Sequence, residues 1–317
     1  MQRQWDMTNK INLLVSNNDL NSFCSDWFVD IISDYCNIIY EHETVNHSPS
    51  DTVCVTDFFN TNATWYVPYV NKGYKLVVDC FWDNDISKTS EVTDRLSVRN
   101  KNWIWYNESL WYRHLKYHKY VPNRNHAKAF LMLMHLKRSH RDQIYLRLQN
   151  SLKNAMYSYV QNGIKIKDDV DYANGDWQRY FNPNWYDATE FSVVVETFVT
   201  SPPFISEKIF KPIAYQHPFI VWGSKDTLKY LHEQGFETFD HLIDESYDLI
   251  ENENLRLDKI VSEITRLTNE FENKNYIFED TLTKQKLAYN HARFFDKDLV
   301  KQKIKSEIID EILNYLE

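Results

Sequence analysis

The feature that most constrains the fold is a series of short, nearly continuous apolar runs separated by helical or loop-forming segments. "INLLVS" (11–16), "NIIYEHE" (37–43), "TVCVTDFF" (52–59) and "YKLVVDCFWD" (74–83) are rich in β-branched and aromatic residues, and "NWIWYNES" (102–109) follows. A helical stripe over 21–36 separates the first two. Strands that are apolar on both faces and alternate with helices predict a mostly parallel sheet covered on both sides. At "YVPNRNH" (120–126) the pattern breaks on a proline and polar residues, which reads as a linker. It then restarts with "KAFLMLMHL" (128–136), "EFSVVVET" (190–197) and "PFIVWG" (218–223).

The second series is interleaved with helices. Ile144, Leu148 and Leu152 form one stripe, and Ile260, Ile264, Leu267 and Phe271 another. Helices near 279–295 and 298–316 close the chain. The expectation is α/β: two Rossmann-like domains, 1–122 and 123–317, facing each other across a cleft. The 317 residues suffice for two cores, with 43 % hydrophobic residues. Ligands of such sheets bind beyond the carboxyl ends of the strands.

Composition excludes several classes. Only 5 glycines are present, too few for loops built on repeated glycine. A net charge of −9 disfavours general attraction to nucleic acid or anionic membranes. No apolar run is long enough for a membrane span, and "MQRQWDMTNK" lacks the apolar core of a signal peptide. Cys24, Cys36, Cys54 and Cys80 sit among apolar residues without a C-x-x-C pair, as reduced core cysteines do. A cytoplasmic protein is expected.

Charged residues gather where this architecture would place a ligand. Lys137, Arg138, His140 and Arg141 follow the strand at 128–136. After the strand at 190–197, two prolines stiffen "TSPPF", Ser206 stands at an N-cap position, and Glu207 and Lys208 open a helix. A helix N-terminus with a lysine favours a diphosphate, and Glu207 could accept hydrogen bonds from ribose hydroxyls. Spacing alone equally allows a surface ion pair or a first-turn carboxylate.

The stretch "FSVVVETFVTSPPFISEKIFKPIAYQHPFIVWGS" (191–224) resembles the nucleotide-sugar motif of fucosyltransferase-like glycosyltransferases. It also resembles a group of phage-type glycosyltransferases through "TLKYL…GF", to Phe236. "FLMLMHLKRSHRDQIYLRL" (130–148) is similar to the opening of their C-terminal domain, and the resemblance covers roughly 128–295. It implies a GT-B fold and sugar transfer from a GDP- or UDP-linked donor. By the same resemblance, Glu207 binds ribose, Lys208 and Arg141 (or Arg138) hold the diphosphate, and Glu196 lies beside the sugar or ribose. One departure is Thr197-Phe198, where fucosyltransferases have Asn-Ser.

No cofactor is expected beyond the nucleotide sugar, since a helix dipole, a lysine and an arginine neutralise a leaving diphosphate without metal. The "DND" at Asp83–Asp85 matches a metal-binding pair of acids in the other large glycosyltransferase fold, but a loop turn fits it better. An inverting transfer needs a carboxylate base, with Glu41, Glu43, Asp57, Asp79 and Asp83 as strand-end candidates and Glu196 as a further one. Asp57, before an aromatic loop, is favoured. The aromatic and basic segments 102–120 and 177–191 read as an acceptor wall or as core and surface. The histidines, His140 and His217 included, show no metal-ligand spacing and read as structural or surface residues. Expected partners are the donor and a glycan or small acceptor. Two alternatives remain: DNA modification on hydroxymethylated bases, and a non-catalytic module that binds a nucleotide sugar or nucleic acid.

Overall fold

The computed structural model describes residues 11–15, 35–40, 48–57, 65–79, 95–98, 119–166, 182–200, 203 and 205–316. The chain forms two compact units, one of residues 1–112 with 296–317 and one of residues 113–295. Each is built on a wholly parallel sheet, so the architecture is α/β with two Rossmann-like units.

In the first unit, β1 (Ile11–Val15), β2 (Cys36–Tyr40), β3 (Thr52–Asp57), β4 (Lys75–Asp79) and β5 (Arg95–Val98) lie in the order β2-β1-β3-β4-β5. Leu13, Leu14, Val53, Cys54, Leu76 and Val77 are buried on its two faces, as near-continuous apolar strands require. A short helix, α1 (Val67–Val70), is held by Trp65, Tyr66, Tyr69 and Tyr74 against that core. Cys36 and Cys54 are buried. Asp57 and Asp79 are register partners, so both stand at the carboxyl ends of adjacent strands. The 21–34 part of the helix expected at 21–36 and the strand expected at 102–109 lie outside the described residues, and Cys36 opens β2 instead of closing that helix.

In the second unit, β6 (Lys128–Met134), β7 (Ala155–Tyr159), β8 (Thr189–Val195) and β9 (Phe219–Trp222) lie in the order β7-β6-β8-β9. Its helices are α2 (Ser139–Arg147), α3 (Pro183–Asp187), α4 (Glu207–Ala214), α5 (Thr227–Glu233), α6 (Glu253–Glu272) and α7 (Thr281–Phe294). The stripes at 144–152 and 260–267 are buried as predicted, with Phe271 half-buried. Helices α8 (Lys297–Ile304) and α9 (Asp310–Leu316) follow, joined by a π-helical turn.

Two features differ from the expected domain plan. Residues 296–317 fall in the first unit: α9 packs on β5, the Lys75 ammonium donates to the Tyr315 carbonyl, and it sits 4.6 Å from that ring's centroid. The 120–126 segment is tied to the second unit rather than loose. Asp187 accepts from the Tyr120 hydroxyl and from the Asn123 N–H at 2.9 Å, and Arg124 donates to the Gln216 carbonyl at 2.8 Å. His126 is hydrogen-bonded to the buried Glu190.

The "GF" at the end of α5 is a helix stop with a physical cause. Gly235 N–H donates to the His232 carbonyl at 2.8 Å and Phe236 N–H to the Leu231 carbonyl at 3.0 Å, the paired bonds of a Schellman turn. Gly235 has φ +82°, and a Cβ there would lie 2.5 Å from the Arg293 guanidinium, which caps the Gln234 carbonyl. Gly235→Ala is therefore expected to destabilise the fold by about 1–3 kcal/mol. Chemical denaturation checks it; an unchanged midpoint would contradict the reading of the turn.

Candidate functional site

The strand order of the second sheet sets the place. From β6 the chain moves to β7 on one side and then to β8 on the other, so the direction reverses between β6 and β8. A crevice forms at the carboxyl ends of strands flanking such a reversal. The connection after β6 leads into α2, and the one after β8 leads into α4. Two helix N-termini, with their unpaired N–H groups and positive potential, thus stand at the switch point.

Helix α4 is fixed by its apolar face and its caps. Ile209, Phe210 and Ile213 are fully buried, and Phe210 stacks on Phe294 with centroids 5.4 Å apart. His291 Nδ1 bonds the Ala214 carbonyl at 2.9 Å, satisfying the other end of the helix. Ser206 is the N-cap, as its position in the sequence implied. Its hydroxyl is saturated: it accepts from Lys208 N–H (3.3 Å) and Lys208 Nζ (2.8 Å) and donates to Glu196 Oε2 (2.5 Å).

Glu196, one residue past β8, is 0 % exposed. Besides the Ser206 hydroxyl, its carboxylate accepts from Ser206 N–H at 3.1 Å and Thr197 N–H at 3.3 Å. Lys208 Nζ lies 3.7 Å from it and donates to Thr197 Oγ1 at 3.0 Å. One buried carboxylate therefore pins both ends of the 196–206 loop and balances the lysine. The middle of the loop is held from α6, where the buried Arg256 donates to the Val199 carbonyl at 2.5 Å and to the Ile250 carbonyl at 2.6 Å.

The β6–α2 side supplies the other cations. Arg141 is 3 % exposed and donates to the Leu136 carbonyl at 2.9 Å, which closes the turn between strand and helix. Arg138 is the half-buried N-cap of α2, lies over the Phe198 ring at 5.4 Å, and has no hydrogen-bond partner for its Nε among the described residues. Trp222, fully buried at the end of β9, likewise has an unpartnered Nε1 among the described residues. His140 bridges the two sides, with Nε2 3.0 Å from the Glu196 carbonyl and its ring edge-on to Trp222. Burial lowers its pKa to about 4; Arg141, Arg138 and Lys208 push the same way, and the Glu196 carbonyl opposes them.

Arg138, His140, Arg141, Glu196, Ser206 and Lys208 are thus brought together at one point. For Glu207 the structure gives the place, the first residue of α4, and the side chain lies outside what is described. Asp57 and Asp79 are placed by backbone only, at the strand ends of the first unit. Glu41, Glu43, Asp83 and Asp85 lie outside the described residues, as does the 102–118 part of the aromatic and basic segment. Among the described residues no group of His, Cys, Asp or Glu has the arrangement of a metal site, and no helix is long and apolar enough to cross a membrane. From the sequence, His140 reads as a structural or surface residue and Arg256 does not stand out. For His140 the signal was its place between two arginines in a first helical turn.

No family model matches the chain, and no curated protein matches it. It is similar to several solved structures. A crystal structure of an alpha1,3-fucosyltransferase covers 87 % of this chain and 83 % of its own at 11 % identity, with a TM-score of 0.48. A structure of such an enzyme with GDP-fucose covers 90 % of both at 11 % identity and TM-score 0.44. One with GDP covers 95 % of this chain and 92 % of its own at 12 % identity and TM-score 0.44.

Proposed function

We propose that the second unit binds a nucleoside diphosphate, and that the protein transfers a sugar from a GDP- or UDP-linked donor to an acceptor hydroxyl. The observation that carries this reading is the meeting of two helix N-termini with Arg138, Arg141 and Lys208 at the switch point between β6 and β8. Such a point is built for an anion. The resemblance of 128–295 to fucosyltransferase-like and phage-type enzymes supports the choice of a nucleotide sugar.

The residues divide by what they touch. Lys208 and Arg138 bind the diphosphate oxygens, and Arg141 shapes the turn that presents Arg138 while adding its charge. Glu207 accepts from ribose hydroxyls. Glu196 and Ser206 position Lys208. As the glycosidic bond breaks, negative charge grows on the departing diphosphate, and these cations and helix ends stabilise it there without reorganising. The transfer is inverting and needs no metal, with one carboxylate of the first unit as base.

A screen of UDP- and GDP-linked sugars tests this. The true donor is expected to raise the melting temperature, since a ligand at 100 times its Kd adds about 2.7 kcal/mol. Slow hydrolysis of that donor should persist in EDTA. Loss of hydrolysis in EDTA, restored by magnesium or manganese, would instead favour Asp83 and Asp85 as metal ligands. Stabilisation with neither hydrolysis nor transfer would mark a binding module.

A further inference from the structure

We propose that His140 is a specificity-determining residue: its Nδ1 accepts a hydrogen bond from a hydroxyl of the ligand beside the diphosphate. This rests on the reading of the switch point as a nucleotide-sugar site. The tautomer follows from simple chemistry. Nε2 is hydrogen-bonded to the Glu196 main-chain carbonyl, which only accepts, so Nε2 carries the hydrogen. The ring is neutral, because burial and the three nearby cations disfavour a further charge. Nδ1 is then a lone pair, in no hydrogen bond among the described residues, and the residue keeps 9 % of its surface exposed. Its edge-on packing against Trp222 fixes the ring plane.

That lone pair is chemically unlike its neighbours. Lys208, Arg138 and the helix N–H groups all donate, which suits phosphate oxygens. A phosphate oxygen facing Nδ1 would set acceptor against acceptor. In a nucleotide sugar the groups flanking the diphosphate are the ribose and the transferred sugar, and both carry hydroxyls. An acceptor two residues from Arg138 and next to Arg141 therefore reads a sugar hydroxyl on one side of the diphosphate or the other.

Two substitutions separate this role from packing. His140→Gln keeps a donor where Nε2 stands and removes the acceptor, and His140→Asn keeps an acceptor near Nδ1 and removes the tie to Glu196. Affinities of inorganic pyrophosphate, GDP, UDP, GDP-fucose and UDP-glucose are measured by calorimetry on the full chain. For the nucleotide that the wild type binds, His140→Gln is expected to lose about 3- to 10-fold, the worth of one neutral hydrogen bond. Pyrophosphate binding should be unchanged, and His140→Asn should restore most of the loss. A loss already present with the free nucleoside diphosphate assigns the hydroxyl to ribose; a loss only with the nucleotide sugar assigns it to the transferred sugar. Equal losses for pyrophosphate and nucleotide, or normal binding in Gln with weak binding in Asn, would reduce His140 to a structural tie. A wild type that binds none of the five would overturn the site itself.

Discussion

Lys208→Ala is expected to weaken nucleoside-diphosphate binding about 10- to 100-fold while leaving the apo protein folded. The magnitude follows from losing one charge-assisted hydrogen bond to phosphate, about 1.5–3 kcal/mol. The expectation that the fold survives rests on a comparison. Ile209, Phe210 and Ile213 anchor α4 with about 1.5–3 kcal/mol each, against about 3–5 kcal/mol for leaving the buried Glu196 without its lysine. Glu196 also retains its bonds from Ser206 N–H, Ser206 Oγ and Thr197 N–H. Calorimetry and the apo melting temperature together decide the matter. Unchanged affinity in a folded variant would remove Lys208 from the site.

The second large effect concerns the base. Asp57→Asn or Asp79→Asn is expected to lower the transfer rate about 100-fold or more with donor affinity intact, the usual worth of a positioned general base. Both residues stand at carboxyl ends of neighbouring parallel strands, where an α/β sheet presents reactive groups. Arg138→Ala should show the contrary pattern, with weaker donor binding as well as slower transfer. Comparing donor affinity and turnover across the three variants checks the division of labour. Normal turnover in both aspartate variants would move the base to Asp83 or another acid.

How much of this was visible in the sequence depended on where each strand lies in its sheet. Central strands β1, β3, β4, β6 and β8 are buried on both faces, so "INLLV", "VCV", "LVV", "FLMLM" and "FSVVV" announce themselves. The two strands that pattern reading missed, β5 ("RLSV") and β7 ("AMYSY"), lie at sheet edges among the described residues, where polar residues are tolerated. Helix α4 contains Pro212, which local rules would place outside a helix; the buried Phe210 and Ile213 around it outweigh that preference. That α8 and α9 return to the first unit turns on contacts such as Lys75 with Tyr315, which lie 240 residues apart and leave no local signature.

The site was legible in part for the same reason. Ser206 and Lys208 form a local N-cap pattern, and the structure places them as the pattern implies. The part of Glu196 was not readable from its own neighbourhood. A carboxylate at a strand end suggests a ligand contact, whereas this one is buried against Ser206, ten residues away. The resemblance puts Arg141 before Arg138 as the arginine of the diphosphate. Burial now distinguishes them, with Arg141 bonded to the Leu136 carbonyl and Arg138 at the helix end over Phe198.

The central claim is that the switch point between β6 and β8 holds a diphosphate. Its most direct test is calorimetric titration of GDP, UDP and inorganic pyrophosphate into the full chain and into a doubly substituted variant, Arg138→Ala with Lys208→Ala. One-to-one binding of a nucleoside diphosphate to the wild type is expected, with a loss of roughly 100-fold or more in the folded double variant, from two charge-assisted contacts. Equal affinity in the two proteins, or no binding of any of the three to the wild type, would contradict it.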